Sequence, residues 1–290
     1  MVHVRTARLT QADGSFWTLS DGRGEEGEAR ANWIVEDVAG WYGGAGVRAE
    51  TVARLQHGDF PARGWREGRS MTLHGVVLCV DSDERDWQER NISGMAWDGR
   101  YGELQCDDGN AVLSTSVRLD GAPQVVKIGV TGLRFQLPLK AASPFLFGEW
   151  RESILRPVGA GVGLEYPLFS RDLGKGPVLT FGTAVDTTEP IWNDGNAVSY
   201  PRFKVTADAP GGFAITLGGK RVAFPWPVFS DAPVVVDMSG SVTVSGVDQS
   251  HLLSDRGWSG VEPGGVAYPS FDLLRGGTGW ATVQHRDCYI

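Results

Sequence analysis

Tyr200-Pro-Arg-Phe-Lys-Val-Thr206, Phe213-Ala-Ile-Thr-Leu217, Val234-Val-Val-Asp237 and Val242-Thr-Val-Ser-Gly246 lie in one stretch, Asn196 to Ile290. Each is a short apolar run between turns, the pattern of β-strands in an all-β domain. Trp258, Pro263-Gly-Gly265 and Thr278-Gly-Trp-Ala-Thr-Val283 carry the pattern on towards the C-terminus. This β domain is expected from about Pro177 to the end. No repeat period marks it as a solenoid or propeller.

The same texture extends towards the N-terminus. Ser70-Met-Thr-Leu-His-Gly-Val-Val-Leu-Cys-Val80 is rich in β-formers and runs into Asp81-Ser-Asp-Glu84, an acidic cluster suited to starting a helix. The helix is expected through Ile92, with Trp87, Ile92, Met95 and Trp97 as its apolar stripe and Gly94 at its end. Beyond it, Gly102–Cys106 and Ala111–Leu119 flank the turn Asp107-Asp-Gly-Asn110. Val125–Val130 and Leu133–Leu139 form a hairpin about Thr131-Gly132. Residues 20 to 32 are charged and Gly-rich and read as a loop. These signals give a β domain with one helix over residues 1–148, whose exit is Ala142-Ser-Pro-Phe-Leu-Phe-Gly148. Residues 149–176, where Gly and Pro interrupt every apolar run, read as a connector, and 177–290 as the second β domain.

The 290 residues are enough to bury roughly three quarters of the unfolded surface in a single compact body, so neither metal nor disulfide is needed for folding. The net charge of −8 and the lack of a dense Lys/Arg run argue against a protein that grips nucleic acid by its phosphates. The three cysteines, Cys79, Cys106 and Cys288, are widely spaced and read as free buried thiols of a reducing cytosol. No signal core and no membrane-length apolar run is present. The eleven Trp residues suit either interfaces, sugar binding or a β core, and the core is the commoner use.

No catalytic, cofactor or metal site assembles in the sequence. Asp81-Ser-Asp-Glu-Arg-Asp86 lacks the Gly and Glu that an EF-hand needs, which leaves helix capping. Asp107-Asp-Gly-Asn110 and Asn193-Asp-Gly-Asn196 are oxygen-rich, but their Asp-Gly steps are turn signals. Glu149, Glu165 and Asp194 stand beside aromatic residues, a combination met in glycosidases, yet no spacing sets two of them across a bond. His251 and Ser254 are close without forming a triad, and Gly43-Gly-Ala-Gly46 lacks the Lys of a phosphate loop. The one basic cluster is Arg63, Arg66 and Arg69 interleaved with Phe60 and Trp65. It suits either an anion patch or a subunit interface, and the interface is favoured because Arg and Trp are enriched at hot spots.

Taken together, these features resemble the siphophage distal tail protein family. In the first half the resemblance rests on Arg63 to Arg69, Met71 to Val80, Asp83 to Ile92, Val117-Arg-Leu-Asp-Gly-Ala-Pro123 and Phe135-Gln-Leu-Pro-Leu-Lys-Ala-Ala-Ser-Pro-Phe145. In the second half it rests on Asp237, Trp258, Pro263-Gly-Gly265 and Arg286-Asp-Cys-Tyr-Ile290. The resemblance implies a split-barrel-like N-terminal domain with an arm and one helix, followed by a galectin-like β-sandwich. It also implies a hexameric ring in the virion, assembled in the host cytoplasm, that joins the tail tube protein to tip or baseplate proteins. DNA would pass through its lumen without specific binding. The alternative is a carbohydrate-binding module for host glycans, which an exposed Trp beside polar residues on the concave face of the second domain would favour.

Overall fold

The computed structural model describes residues 4–22, 30–43, 45–157 and 189–290. It is mainly β, and Ser82–Ser93 is the single α-helix among the described residues. Two compact bodies divide the chain, Met1–Glu149 with Tyr289–Ile290, and Trp150–Cys288.

In the first body the strands are β1 (Thr6–Thr10), β2 (Phe16–Ser20), β3 (Ala31–Ala39), four short arm strands β4 (Val47–Ala49), β5 (Val52–Ala53), β6 (Asp59–Phe60) and β7 (Gly64–Arg66), and β8 (Arg69–Cys79). After α1 (Ser82–Ser93) come β9 (Gly102–Asp107), β10 (Val112–Leu119), β11 (Gln124–Ile128), β12 (Gly132–Ala141) and β13 (Leu146–Phe147). Seven of them close on themselves in the order β12–β8–β3–β2–β1–β9–β10, with β10 returning to β12 through Arg118↔Lys140 and Leu119↔Leu139. Closure pairs strand edges that would otherwise be open.

The period of two in β8 and β12 dictates what fills this barrel. Met71, Leu73 and Val77 alternate inward from β8, and Leu133, Phe135, Leu137 and Leu139 meet them from β12. Gly75 occupies the inward position between Leu73 and Val77. A Cβ there would lie 2.6 Å from Phe135 Cζ and 2.9 Å from Leu19 Cδ2, so the aromatic ring takes the space a side chain would need. A bulge between Val35 and Asp37 resets the alternation in β3, so that Val35 and Val38 are both buried.

Helix α1 begins as its sequence predicts: Asp81 Oδ1 accepts from the Glu84 amide at 2.7 Å, with Asp83 and Glu84 in the first turn. Its apolar stripe differs from the expectation. Ile92 and Met95 are buried, while Trp87 and Trp97 face solvent. Lys127 of β11 bonds to Asp86 at 3.0 Å and approaches Glu89 at 3.1 Å, which ties the helix to the outermost strand.

The second body contains β14 (Arg151–Leu155), β15 (Ile191–Asn193), β16 (Arg202–Asp208), β17 (Phe213–Leu217), β18 (Lys220–Phe224), β19 (Val234–Asp237), β20 (Ser241–Val244), β21 (Val247–Asp248), β22 (Asp255–Arg256), β23 (Gly265–Ala267), β24 (Ser270–Leu273) and β25 (Thr278–His285). A six-stranded sheet, β14–β25–β16–β19–β20–β21, and a four-stranded one, β22–β18–β17–β24, share one core. Phe203, Val205, Val236 and Val283 come from the first sheet, and Phe213, Ile215, Phe224 and Phe271 from the second. The architecture is a β-sandwich. Within the expected connector, Arg151–Leu155 forms a strand, while 158–176 lie outside the described residues, as do 177–188 of the expected second domain.

The tryptophans depart from the core reading. Trp65, Trp87, Trp97, Trp150, Trp192, Trp226 and Trp280 are exposed, and Trp41 is the one fully buried. Trp41 lies in the first core, with Trp17 and Trp33 packed against it and Trp258 against the second, and the other seven indoles are at the surface.

Candidate assembly interface

Between β3 and β8 the chain leaves the barrel as a hairpin with no core of its own. Its ladders are Val47↔Arg66, Arg48↔Trp65 and Ala49↔Gly64, then Val52↔Phe60 and Ala53↔Asp59. The Arg54 amide donates to Gly58 O at 3.0 Å, and Gly58 turns at the tip with φ +88°. Every residue from 47 to 67 is exposed, including Val47, Val52, Leu55 and Phe60, with Trp65 at 63%. An isolated two-stranded hairpin is marginal in water.

Besides its backbone ladders, the arm is held by contacts from its cations. The Arg63 guanidinium lies 4.3 Å from the Trp65 ring centroid, and Arg54 lies 5.1 Å from that of Phe60. Arg66 Nη1 donates to Ala45 O at 3.1 Å, fixing the base of the hairpin. Arg48, Arg63, Trp65 and Arg66 line an open trough with Glu50 and Glu67. The structure therefore brings Phe60, Arg63, Trp65 and Arg66 onto one arm.

Arg69 stands apart from them. It is fully buried where β8 begins, and its guanidinium donates to Pro144 O at 2.8 and 3.2 Å, to Gly40 O at 3.3 Å and to Trp41 O. Burial pulls its pKa below the usual arginine value, and the neighbouring Arg66 acts in the same direction. With no solvent face, it has nothing to offer a partner. It is a latch between the barrel, the segment before the arm and the exit loop.

A second unpartnered surface lies on the same body. Among the described residues, β11 bonds along one edge only, to β12. Beside that edge, Val126, Ile128 and Val130 are exposed together with Leu78 of the neighbouring β8. The sequence reading missed this patch. The alternation in β8 and β12 implies an inside and an outside, but nothing in it says whether the outside is wet.

The other candidates resolve into structural roles. Asp108 Oδ1 accepts from the Asn110 and Ala111 amides at 2.8 and 2.9 Å, and Tyr42 Oη donates to Asp108 Oδ2 at 2.7 Å. Burial and that hydrogen bond push the Tyr42 pKa up to about 12. Asn193 Nδ2 donates to Ala197 O and Val261 O, while its Oδ1 accepts from the Gly195 and Cys288 amides. These polar atoms are spent on turns. Cys79, Cys106 and Cys288 are free and buried, and burial raises all three thiol pKa values, to about 12 for Cys288. Among the described residues no three His, Cys, Asp or Glu side chains gather at metal-binding distance. Glu165 lies outside the described residues.

In sequence the chain matches no protein-family model and no curated protein. In structure it is similar to the SPP1 Dit (gp 19.1) protein, described as a paradigm of the hub adsorption apparatus in phages infecting Gram-positive bacteria. The TM-score is 0.56 at 11% identity, over 89% of this chain and 94% of that one. The fold is that of a phage tail hub protein. A chain of the phage p2 baseplate, in its activated conformation with Sr, aligns at TM-score 0.51 and 8% identity over 98% of both chains. The hub fold thus spans both bodies. At these identities side chains have diverged almost completely, so the likeness carries architecture and not individual contacts.

Proposed function

We propose that this protein is a structural subunit of a phage tail tip, a hexameric ring that joins the tail tube to tip or baseplate proteins. The observation that carries the reading is the arm: a coreless hairpin whose apolar side chains stay exposed to solvent, on a chain with the hub fold. Cyclic rings need two different patches per subunit, because their interfaces are head-to-tail. The arm supplies one patch, and the β11 edge with its apolar surroundings supplies the other. An open edge strand accepts a neighbour's backbone by strand addition. A net charge of −8 suits a lumen past which DNA slides without adhering. Assembly in the host cytoplasm fits the three free thiols.

The test is the native mass of the purified protein by light scattering, with negative-stain images of the same peak. Rings of about six subunits are expected. Trp65→Ala combined with Phe60→Ala should shift the population to monomers without altering the circular dichroism spectrum. Rings that persist with both aromatics removed would sink the assignment of the arm. A wild-type monomer at every concentration would sink the self-assembling ring.

A further inference from the structure

The core-facing row of β25 ends on a histidine. Ala281, Val283 and His285 alternate inward along the strand, and pairing sets Arg151 of β14 opposite His285. His285 is the one buried histidine among the described residues, and neither of its ring nitrogens has a hydrogen-bond partner there. Arg151 Nε, on the paired strand, is buried and unpartnered as well. A buried polar group without a partner is a cost that an aliphatic side chain would avoid.

Few charged groups neighbour the imidazole. β14 supplies Arg151, β15 the Trp192 ring at 5.3 Å and then the exposed Asp194, and the chain beyond β25 supplies Arg286 and Asp287. Arg286 stands over the Trp150 ring at 4.1 Å. On the opposite face of the sheet, Glu152 bonds to Gln284, and Arg202 of β16 bonds to Asp237 of β19. Asp287 is already engaged: its Oδ1 accepts from Arg151 Nη2 at 2.5 Å and from the Asp194 amide at 2.7 Å. Further bonds clasp residues 286–288 to the turn 193–196 and the residues just after it. Asn193 Oδ1 accepts from the Cys288 amide at 3.1 Å, the Ala197 amide donates to Cys288 O at 3.0 Å, and Ser199 Oγ donates to Arg286 O.

We propose that His285 is the proton sensor of this clasp: while the imidazole is neutral, residues 286–288 stay bound to the turn 193–196, and protonation releases the two from each other with both sheets intact. A proton on His285 sets a second cation beside Arg151, with the single carboxylate of Asp287 to serve both. An imidazolium buried away from water is costly, so the closed arrangement relaxes by admitting solvent. Burial lowers the pKa of His285 in the closed form, with the Arg151 charge acting in the same direction and Asp287 against it. The opened form takes up its proton at the ordinary value of 6.5, so opening grows as the pH falls below 6.5. One linked proton sets a limit of about tenfold per pH unit. The proposal rests on neither the hub fold nor ring formation.

The experiment is native-state amide hydrogen exchange on the full-length protein, corrected for the intrinsic pH dependence of exchange. It compares about pH 7.5 with about pH 5.5, a window above the ordinary carboxylate range. Protection of the Asp194, Ala197 and Cys288 amides should fall several-fold, while that of Phe203 and Val205 in the central strand β16 stays level. His285→Phe should abolish the fall, and so should His285→Gln, whose side chain is neutral throughout. Level protection of the three amides in the wild-type protein would overturn the proposal, whether or not either variant folds. A fall shared equally by β16 would overturn it as general acid loosening. A fall that survives both substitutions would overturn it by placing the titrating group elsewhere.

Discussion

Arg69 and Gly75 show how single residues hold the barrel. Replacing Arg69 by Met keeps the buried aliphatic stem and removes the donors to Gly40, Trp41 and Pro144. Each carbonyl stranded without a partner costs about 1–3 kcal/mol, so Arg69→Met should lower urea-unfolding stability by about 3 kcal/mol or more. A change below 1 kcal/mol would mean that water replaces the guanidinium. Gly75→Ala is expected to cost about 1–3 kcal/mol through overpacking against Phe135. Phe135→Leu in the same chain should recover part of that loss, a coupling that a double-mutant cycle reads directly. His285 sets a pH dependence. It is 3% exposed, neither ring nitrogen is hydrogen-bonded among the described residues, and Trp192 packs edge-on at 5.3 Å. Burial lowers its pKa below 6.5, and the Arg151 charge adds to that shift, while Asp287 opposes it. A depressed native pKa means that the unfolded chain takes up the proton first. Stability is therefore full above pH 6.5 and falls as the pH drops below that value towards the native pKa. His285→Phe should flatten this limb between pH 7 and 5 in denaturation curves, and an unchanged slope would assign the acid sensitivity elsewhere.

At the scale of elements, α1 and the arm are opposites. The helix carries its own signals: Asp81 caps it, Asp83 and Glu84 suit its dipole, and Gly94 ends it. Asp81→Ala should cost about 1 kcal/mol, measurable as a lowered denaturation midpoint. The arm has paired strands but no buried face, so its order depends on what it meets. Amide hydrogen exchange provides the check. Val52, Ala53, Asp59 and Phe60 should exchange rapidly in a monomeric variant and become protected in an assembled particle. Equal exchange in both states would show that the arm takes no part in assembly.

At the scale of the molecule, each body owns a hydrophobic core, so unfolding is expected to resolve into two transitions. Gly75→Ala should move one transition and Gly212→Ala the other, since a Cβ on Gly212 would lie 1.9 Å from the Phe224 carbonyl oxygen. Calorimetry in which both substitutions move the same transition would refute independent cores.

Local order was written in the residues themselves. Alternation from Ser70 to Val80, the acidic start at Asp81 and the Asp-Gly turn at Asp108 each act over a few residues, and the β8, α1 and β9–β10 elements follow from them. The proximity of Arg63 and Trp65 was legible for the same reason, because they stand two residues apart at the start of β7. Arg69 carries the same sequence signal as Arg63 and Arg66, and only the tertiary structure separates them, by closing the exit loop over it. The same holds for the tryptophans and for the group Arg151, His285 and Asp287, whose members are up to 136 residues apart in the chain. Burial and cross-strand neighbourhood are properties of the packed chain, so the sequence determined the elements, and the fold decided which side chains became core, latch or free surface.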